Sequence, residues 1–162
     1  MIQMDAEPAR GERDPSGEPD RRAMPTRRDR ARTLILVVED HEDTRYILAG
    51  MVRMLGYEVV TAEDGHEALT ALGERRPDLV LLDLMMPRMD GWQFRRAQRA
   101  LSDQELAAIP VVLLTAVHQP EREARQLNAA AWLIKPVDLN ELSATIQRVL
   151  ASSGTPPDHR SS

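Results

Sequence analysis

The chain has 162 residues, is 42% hydrophobic and carries a formal net charge of −5, a size and balance that suit one globular domain with flexible ends. It has no cysteine, which removes disulfide frameworks and zinc–thiolate centres. The acid excess argues against non-specific nucleic-acid binding, and two Trp, two Tyr and one Phe are too few for a base-stacking platform. No apolar run approaches the ~18 residues of a membrane span. Met1 is followed by polar residues rather than the apolar stretch of a signal peptide, so a cytoplasmic protein without a membrane segment is expected.

Residues 1–32 are rich in Pro, Gly, Arg and acids without apolar periodicity, and a disordered N-terminal arm is expected there. Within it, residues 1–20 hold two Arg against six acids, whereas residues 21–32 hold six Arg against Asp29. Such a basic block can dock on an acidic partner or on nucleic acid, or be a solvated tail.

A folded domain is expected over 33–152, with strands and helices alternating. Leu34–Val38 is a short apolar strand that ends in Glu39-Asp40. In the next segment, 42–55, Ile47, Leu48, Met51, Val52 and Leu55 fall on one helical face, and Gly56 is a natural terminator. Residues 57–62 read as the second strand. Asp64-Gly65 then turns into a helix carrying Ala68, Leu69 and Leu72. The continuous apolar run Leu79-Val80-Leu81-Leu82 reads as a strand buried on both faces, delivering Asp83 into a loop with Pro87 and Gly91. Taken alone, Asp83 is equally a turn residue or the cap of the next helix.

A third helix covers about 91–101, with Trp92 a packing residue near its start. Pro110 opens a fourth strand over 111–115, and a short helix over about 120–127 leads to Asn128, which tolerates a left-handed cap. The fifth strand, 131–134, ends at Lys135-Pro136. A last helix over 139–151 shows Leu142, Ile146, Val149 and Leu150 on one face, and residues 153–162 form a frayed tail.

Five strands alternating with five helices mean an α/β fold, a doubly wound parallel sheet covered on both faces. Right-handed crossovers and a single unit of this size favour strand order 2-1-3-4-5. That order makes strands one and three neighbours, so Glu39, Asp40 and Asp83 converge at one carboxyl edge. Thr115 and Lys135 end strands four and five on the same edge. Of 21 basic residues, Lys135 is the sole lysine, and a compact ammonium is not interchangeable with the Arg used elsewhere.

Three converging carboxylates repel one another unless a cation sits among them, and oxygen ligands with room for water suit Mg²⁺. An Asp beside a metal, an ammonium and a hydroxyl is equipped for phosphoryl transfer, with the carboxylate as nucleophile. His41, His66, His118 and His159 show no metal-ligand spacing and are expected at the surface.

Five segments, VVEDHEDTR (37–45), DGHEAL (64–69), LLDLMMPRMDG (81–91), VVLLTA (111–116) and AWLIKP (131–136), together resemble the receiver domain of two-component response regulators over residues 33–151. The resemblance implies the flavodoxin-like receiver fold and a switch rather than a conventional enzyme. It makes Asp83 the phosphoacceptor, Asp40 and the Met85 backbone carbonyl Mg²⁺ ligands, and Glu39 a ligand through water. Thr115 matches the switch hydroxyl, Trp132 the switch aromatic and Lys135 the phosphate-binding lysine, with a cis Lys135-Pro136 bond. Implied partners are a sensor histidine kinase or a histidine phosphotransfer protein, and an unidentified downstream protein, for a monomer or weak dimer. Against the family pattern, Glu39-Asp40 stands where many relatives have Asp-Asp. The segment from Thr115 to Asn128 is shorter by about half a helical turn and contains Pro120, which makes the output surface atypical.

With only the ten-residue polar tail 153–162 beyond the last helix, a stand-alone receiver without a DNA-binding domain is expected, either a terminal switch or a carrier passing phosphate to a phosphotransfer protein. An aspartate-nucleophile phosphatase would need an acid at position 85, where Met85 stands. A flavin carrier would need phosphate-cradling Gly, Ser or Thr after the first strand, where this chain has acids.

Overall fold

A computed structural model describes Arg30 and residues 32–153. The arm expected over 1–32 and the tail expected over 153–162 therefore lie, apart from Arg30, Arg32 and Ser153, outside the described residues. Arg30 is half-buried, its Nη1 donating to the Leu55 carbonyl at 3.4 Å and its guanidinium lying 6.0 Å from the centre of the Tyr57 ring.

The elements follow the expected alternation: β1 (Leu34–Val38), α1 (Glu42–Met54), β2 (Glu58–Ala62), α2 (Gly65–Arg75), β3 (Leu79–Asp83), α3 (Gly91–Arg99), α4 (Gln104–Ala107), β4 (Val111–Thr115), α5 (Glu121–Gln126), β5 (Ala131–Ile134) and α6 (Leu139–Ser153). The five strands form one parallel sheet in the order β2-β1-β3-β4-β5, the doubly wound arrangement read from the sequence. Every residue of β1, β3 and β4 is buried, as befits central strands covered on both faces. The edge strands β2 and β5 are partly exposed.

Alternation along the strands separates two cores. Ile35, Val37, Leu79, Leu81, Val112 and Leu114 pack with Leu48 and Val52 of α1 and Leu142, Ile146 and Val149 of α6. On the other face Leu36, Val38, Val80, Leu82, Val111 and Leu113 pack with Leu72 of α2, Phe94 of α3 and Ala124 of α5. Trp92 is partly buried against this second core, a packing residue as expected.

Three local expectations need correction. Ile47 does not join the buried face of α1 but is 60% exposed, because the inward stripe is centred on Leu48, Ala49 and Val52. Tyr57 precedes β2 rather than opening it. The one-turn α4, absent from the expected five helices, forms where the Asp103 carboxylate caps the Glu105 and Leu106 amides.

Candidate functional site

The acidic edge is a consequence of register. Val38 is opposite Leu82, so Glu39 and Asp83 leave their neighbouring strands at the same level. Glu39 is fully buried and Asp83 nearly so. The Glu39 amide still donates to Ala62 O at 3.1 Å, and Arg45 Nη1 donates to the carbonyls of Glu39 at 2.9 Å and Asp40 at 3.3 Å. The backbone that presents the two acids is thus held from α1, whose N-cap is His41.

The loop after Asp83 is tied down on both sides. Gly91 N donates to Leu84 O at 3.0 Å and Gly65 N to Met89 O at 3.2 Å. Asp90 and Gln93 form a reciprocal capping box at the start of α3. A Cβ at position 91 would stand 2.7 Å from Asp83 O and from Leu84 Cα, so only glycine lets α3 begin this close to the end of β3. Within this loop Met85 is exposed, and its N–H donates to Asp83 Oδ1 at 3.3 Å.

Basic and hydroxyl groups arrive from the next two strands. Thr115 is opposite Ile134 and accepts from the Lys135 amide through its carbonyl at 2.8 Å, which sets Lys135 at the same edge. Lys135 Nζ lies 2.5 Å from Glu39 Oε2 and 3.5 Å from Asp83 Oδ1. The Lys135-Pro136 bond is cis. Thr115 is buried, and its Oγ1 accepts from Val117 N at 3.1 Å.

Burial above all pushes the Asp83 carboxyl up to about 6. The negative charges of Glu39 and Asp40 push the same way, while Lys135 and the Met85 amide act against them. The acids therefore crowd as anticipated. Asp40 Oδ1 is a buried atom without a hydrogen-bond partner. An orphaned carboxylate oxygen beside a second, fully buried acid fits a bound divalent cation, and the all-oxygen donors of Asp40 and Asp83 suit Mg²⁺.

One residue at this edge was missed. His41 Nδ1 lies 3.3 Å from Glu39 Oε1 and 3.3 Å from Asp40 Oδ1. The ring is at the surface, as expected, yet it faces the acids. The only sequence signal is adjacency, Glu39-Asp40-His41, which metal-ligand spacing rules do not weigh.

Residues 35–147 match the response regulator receiver domain family. The chain belongs to that family. Its receiver domain is similar to a probable transcriptional regulator, ycf27, of Cyanophora paradoxa, at 40% identity over 75% of this chain and 50% of that one. The chain spans about half the length of the curated relatives of this kind. Among solved structures, the chemotaxis response regulator CheY4 of Vibrio cholerae is 34% identical with a TM-score of 0.66, covering 72% of this chain and 98% of that one. The receiver domain of a sensor histidine kinase from Pseudomonas aeruginosa, solved with a magnesium ion coordinated in its active-site cleft, is 32% identical with a TM-score of 0.67. It covers 73% of this chain and 97% of that one. Among the described residues no helix is long and apolar enough to cross a membrane.

This receiver departs from regularity beside β5. Helix α5 has only six residues, with Pro120 at its N-cap and no side-chain cap. Alternation turns Trp132 and Ile134 toward the α5 side of the sheet, and a helix this short leaves them 39% and 45% exposed. Val117 is exposed as well. At its other end α5 is held by a buried cation that no periodicity indicated. Arg95 of α3 donates to Leu127 O at 3.0 Å, Asn128 O at 2.9 Å and Gln98 Oε1 at 2.7 Å. Gln98, fully buried, donates in turn to the carbonyls of Leu106 and Ile109.

Proposed function

We propose that this receiver accepts a phosphoryl group on Asp83 from the phosphohistidine of a sensor kinase or phosphotransfer protein, and signals through protein–protein contacts. The observation that carries the reading is the setting of Asp83, a buried carboxylate at the end of β3 with a lysine ammonium 3.5 Å from Oδ1 and two further acids beside it. Asp83 attacks phosphorus and the donor's imidazole leaves with the electron pair of the broken P–N bond. Lys135 moves from Glu39 toward the transferred group, and the Thr115 hydroxyl turns from Val117 N to donate to a phosphoryl oxygen.

Asp40, Asp83 and the Met85 carbonyl would hold Mg²⁺, with Glu39 acting through water; the ion supplies positive charge for the transferred phosphoryl oxygens. That Mg²⁺ sits in the cleft of the similar Pseudomonas aeruginosa receiver supports this assignment. The chain catalyses only its own phosphorylation and dephosphorylation, and does so in the cytoplasm, where ATP-dependent kinases make phosphohistidine. Met85 two residues after Asp83 leaves no acid there to serve a phosphatase cycle.

A small-molecule phosphodonor with Mg²⁺ tests the reading. The expected product is an acid-stable, alkali-labile acyl phosphate that maps to Asp83. Labelling of Asp83→Asn as strong as that of the unaltered protein would overturn it.

A further inference from the structure

We propose that Asp64, Gly65, Arg88 and Met89 form a clasp that positions the loop carrying Met85, and so sets the rate of phosphoryl transfer at Asp83. The inference rests on the phosphotransfer reading above and adds positioning residues from the corner where β2 runs into α2.

The loop of residues 84–90 joins Asp83 to α3, and its two halves are held differently. Leu84 and Met86 are buried in the core on the α2–α3 side of the sheet, with exposed Met85 between them. Beyond Pro87 the loop is gripped from the β2–α2 corner. Gly65 N donates to Met89 O at 3.2 Å, and Arg88 Nη2 stands 2.7 Å from Asp64 Oδ2 and 3.6 Å from Glu63 Oε1. The Asp64 side chain is only 9% exposed. Its Oδ1 accepts from the Glu67 amide at 2.9 Å, so Arg88 supplies the cation that a carboxylate so buried needs.

Both sides of the clasp run against local preference. Arg88 has a φ of +67°, in the left-handed region that favours glycine. Backbone strained in this way persists only where its surroundings hold it, and here Asp64 and Glu63 hold it. Gly65 is the converse. It opens α2 without the positive φ that would call for glycine. Yet a Cβ there would stand 2.5 Å from Met89 Cγ, 2.7 Å from its Sδ and 2.8 Å from its Cβ. Glycine is required by the close approach of Met89, not by the turn. An added methyl would push Met89 back by about 1 Å, and a misplacement of that size near a reacting centre costs on the order of 100-fold in rate.

The test uses the full chain, with acetyl phosphate as donor and Mg²⁺ varied. Gly65→Ala drives a wedge into the clasp, and Arg88→Met removes its charge. In both, the Mg²⁺ concentration for half-maximal labelling of Asp83 should rise at least about tenfold. Arg88→Lys should stay within about threefold of the unaltered protein, because the single nitrogen Nη2 makes both contacts and a point ammonium can replace it. Amide exchange in chelator provides a readout without donor or metal. Residues 85–89 should exchange faster in Gly65→Ala and Arg88→Met, while α2 and α3 keep their protection. Arg88 is 63% exposed, so its variants keep the fold and decide the matter if Gly65→Ala unfolds. Absence of label on Asp83 in the unaltered protein would overturn the phosphotransfer reading and this proposal with it. Normal labelling there, with unchanged Mg²⁺ dependence in Arg88→Met, would overturn the clasp alone. Equal losses in Arg88→Lys and Arg88→Met would do the same.

Discussion

Lys135 is paired more closely with Glu39 than with Asp83: its ammonium stands 2.5 Å from Glu39 Oε2 and 3.5 Å from Asp83 Oδ1. The choice follows from burial, since Glu39 has no exposed surface and a carboxylate so placed needs a cation beside it. In the proposed phosphotransfer, reaching a phosphoryl group on Asp83 would require Lys135 to loosen from Glu39, and the resting pair would then set part of the switch's threshold.

Removing one partner of that pair should be worse than removing both. Lys135→Met leaves Glu39 buried without its ammonium partner, at a cost on the order of 3 kcal/mol. Adding Glu39→Gln should restore much of the loss. Urea denaturation of the two single variants and the double variant measures the coupling. Additive losses would show that the two charges stabilise the fold independently.

The raised carboxyl of Asp83 makes stability depend on pH with a definite sign. A carboxyl whose folded value lies near 6 and whose unfolded value is near 3.8 favours the fold below the lower value. That contribution is lost as pH rises through the upper one. The ionised group therefore burdens the metal-free fold at neutral pH, on the order of 3 kcal/mol. In chelator, Asp83→Asn should melt higher than the unaltered protein at neutral pH. The gap should close as pH falls from about 6 toward about 4. A gap that stays constant across this range would disprove the burial effect.

Arg95 should matter for the stability of the α3–α5 contact although it bears a charge that sequence reading assigns to solvent. Burial pulls its guanidinium down to about 10, with help from Arg99, so it is still a cation at neutral pH. Arg95→Met strands the carbonyls of Leu127 and Asn128 and the Gln98 amide oxygen. A loss of about 3 kcal/mol in chemical denaturation is expected. Arg95→Lys, with a single point donor in place of a fork, should recover only part of it. A loss below about 0.5 kcal/mol in Arg95→Met would place Arg95 among ordinary surface residues.

For the proposed switch, Trp132 would provide the readout. Beryllofluoride with Mg²⁺ should change tryptophan emission in the unaltered protein and in Trp92→Phe, where Trp132 reports alone. Thr115→Ala has no hydroxyl to turn from Val117 N, and its emission should stay constant. With the C-terminal end of α5 held by Arg95, amide exchange should change chiefly in β5 and α6. Changes confined to 116–127, with 131–150 untouched, would count against this route.

The sequence by itself determined the sheet and its acidic edge. The apolar runs of β1, β3 and β4 state their own burial locally. The handedness of crossovers then leaves few strand orders, and any order with strands one and three adjacent brings Glu39, Asp40 and Asp83 together. Lys135 and Thr115 follow from the same logic, because a residue that ends a parallel strand must lie at that strand's carboxyl edge. Only the tertiary structure decided which acid Lys135 pairs with, that His41 faces the acids, that Ile47 is left outside and that Arg95 is inside. Each of these depends on a side-chain rotamer or on a partner far away in the chain: Glu39 is 96 residues from Lys135, and Leu127 is 32 from Arg95. Hydrophobic periodicity records the environment of a stretch of chain, and it holds no information about which polar atom a given side chain will meet.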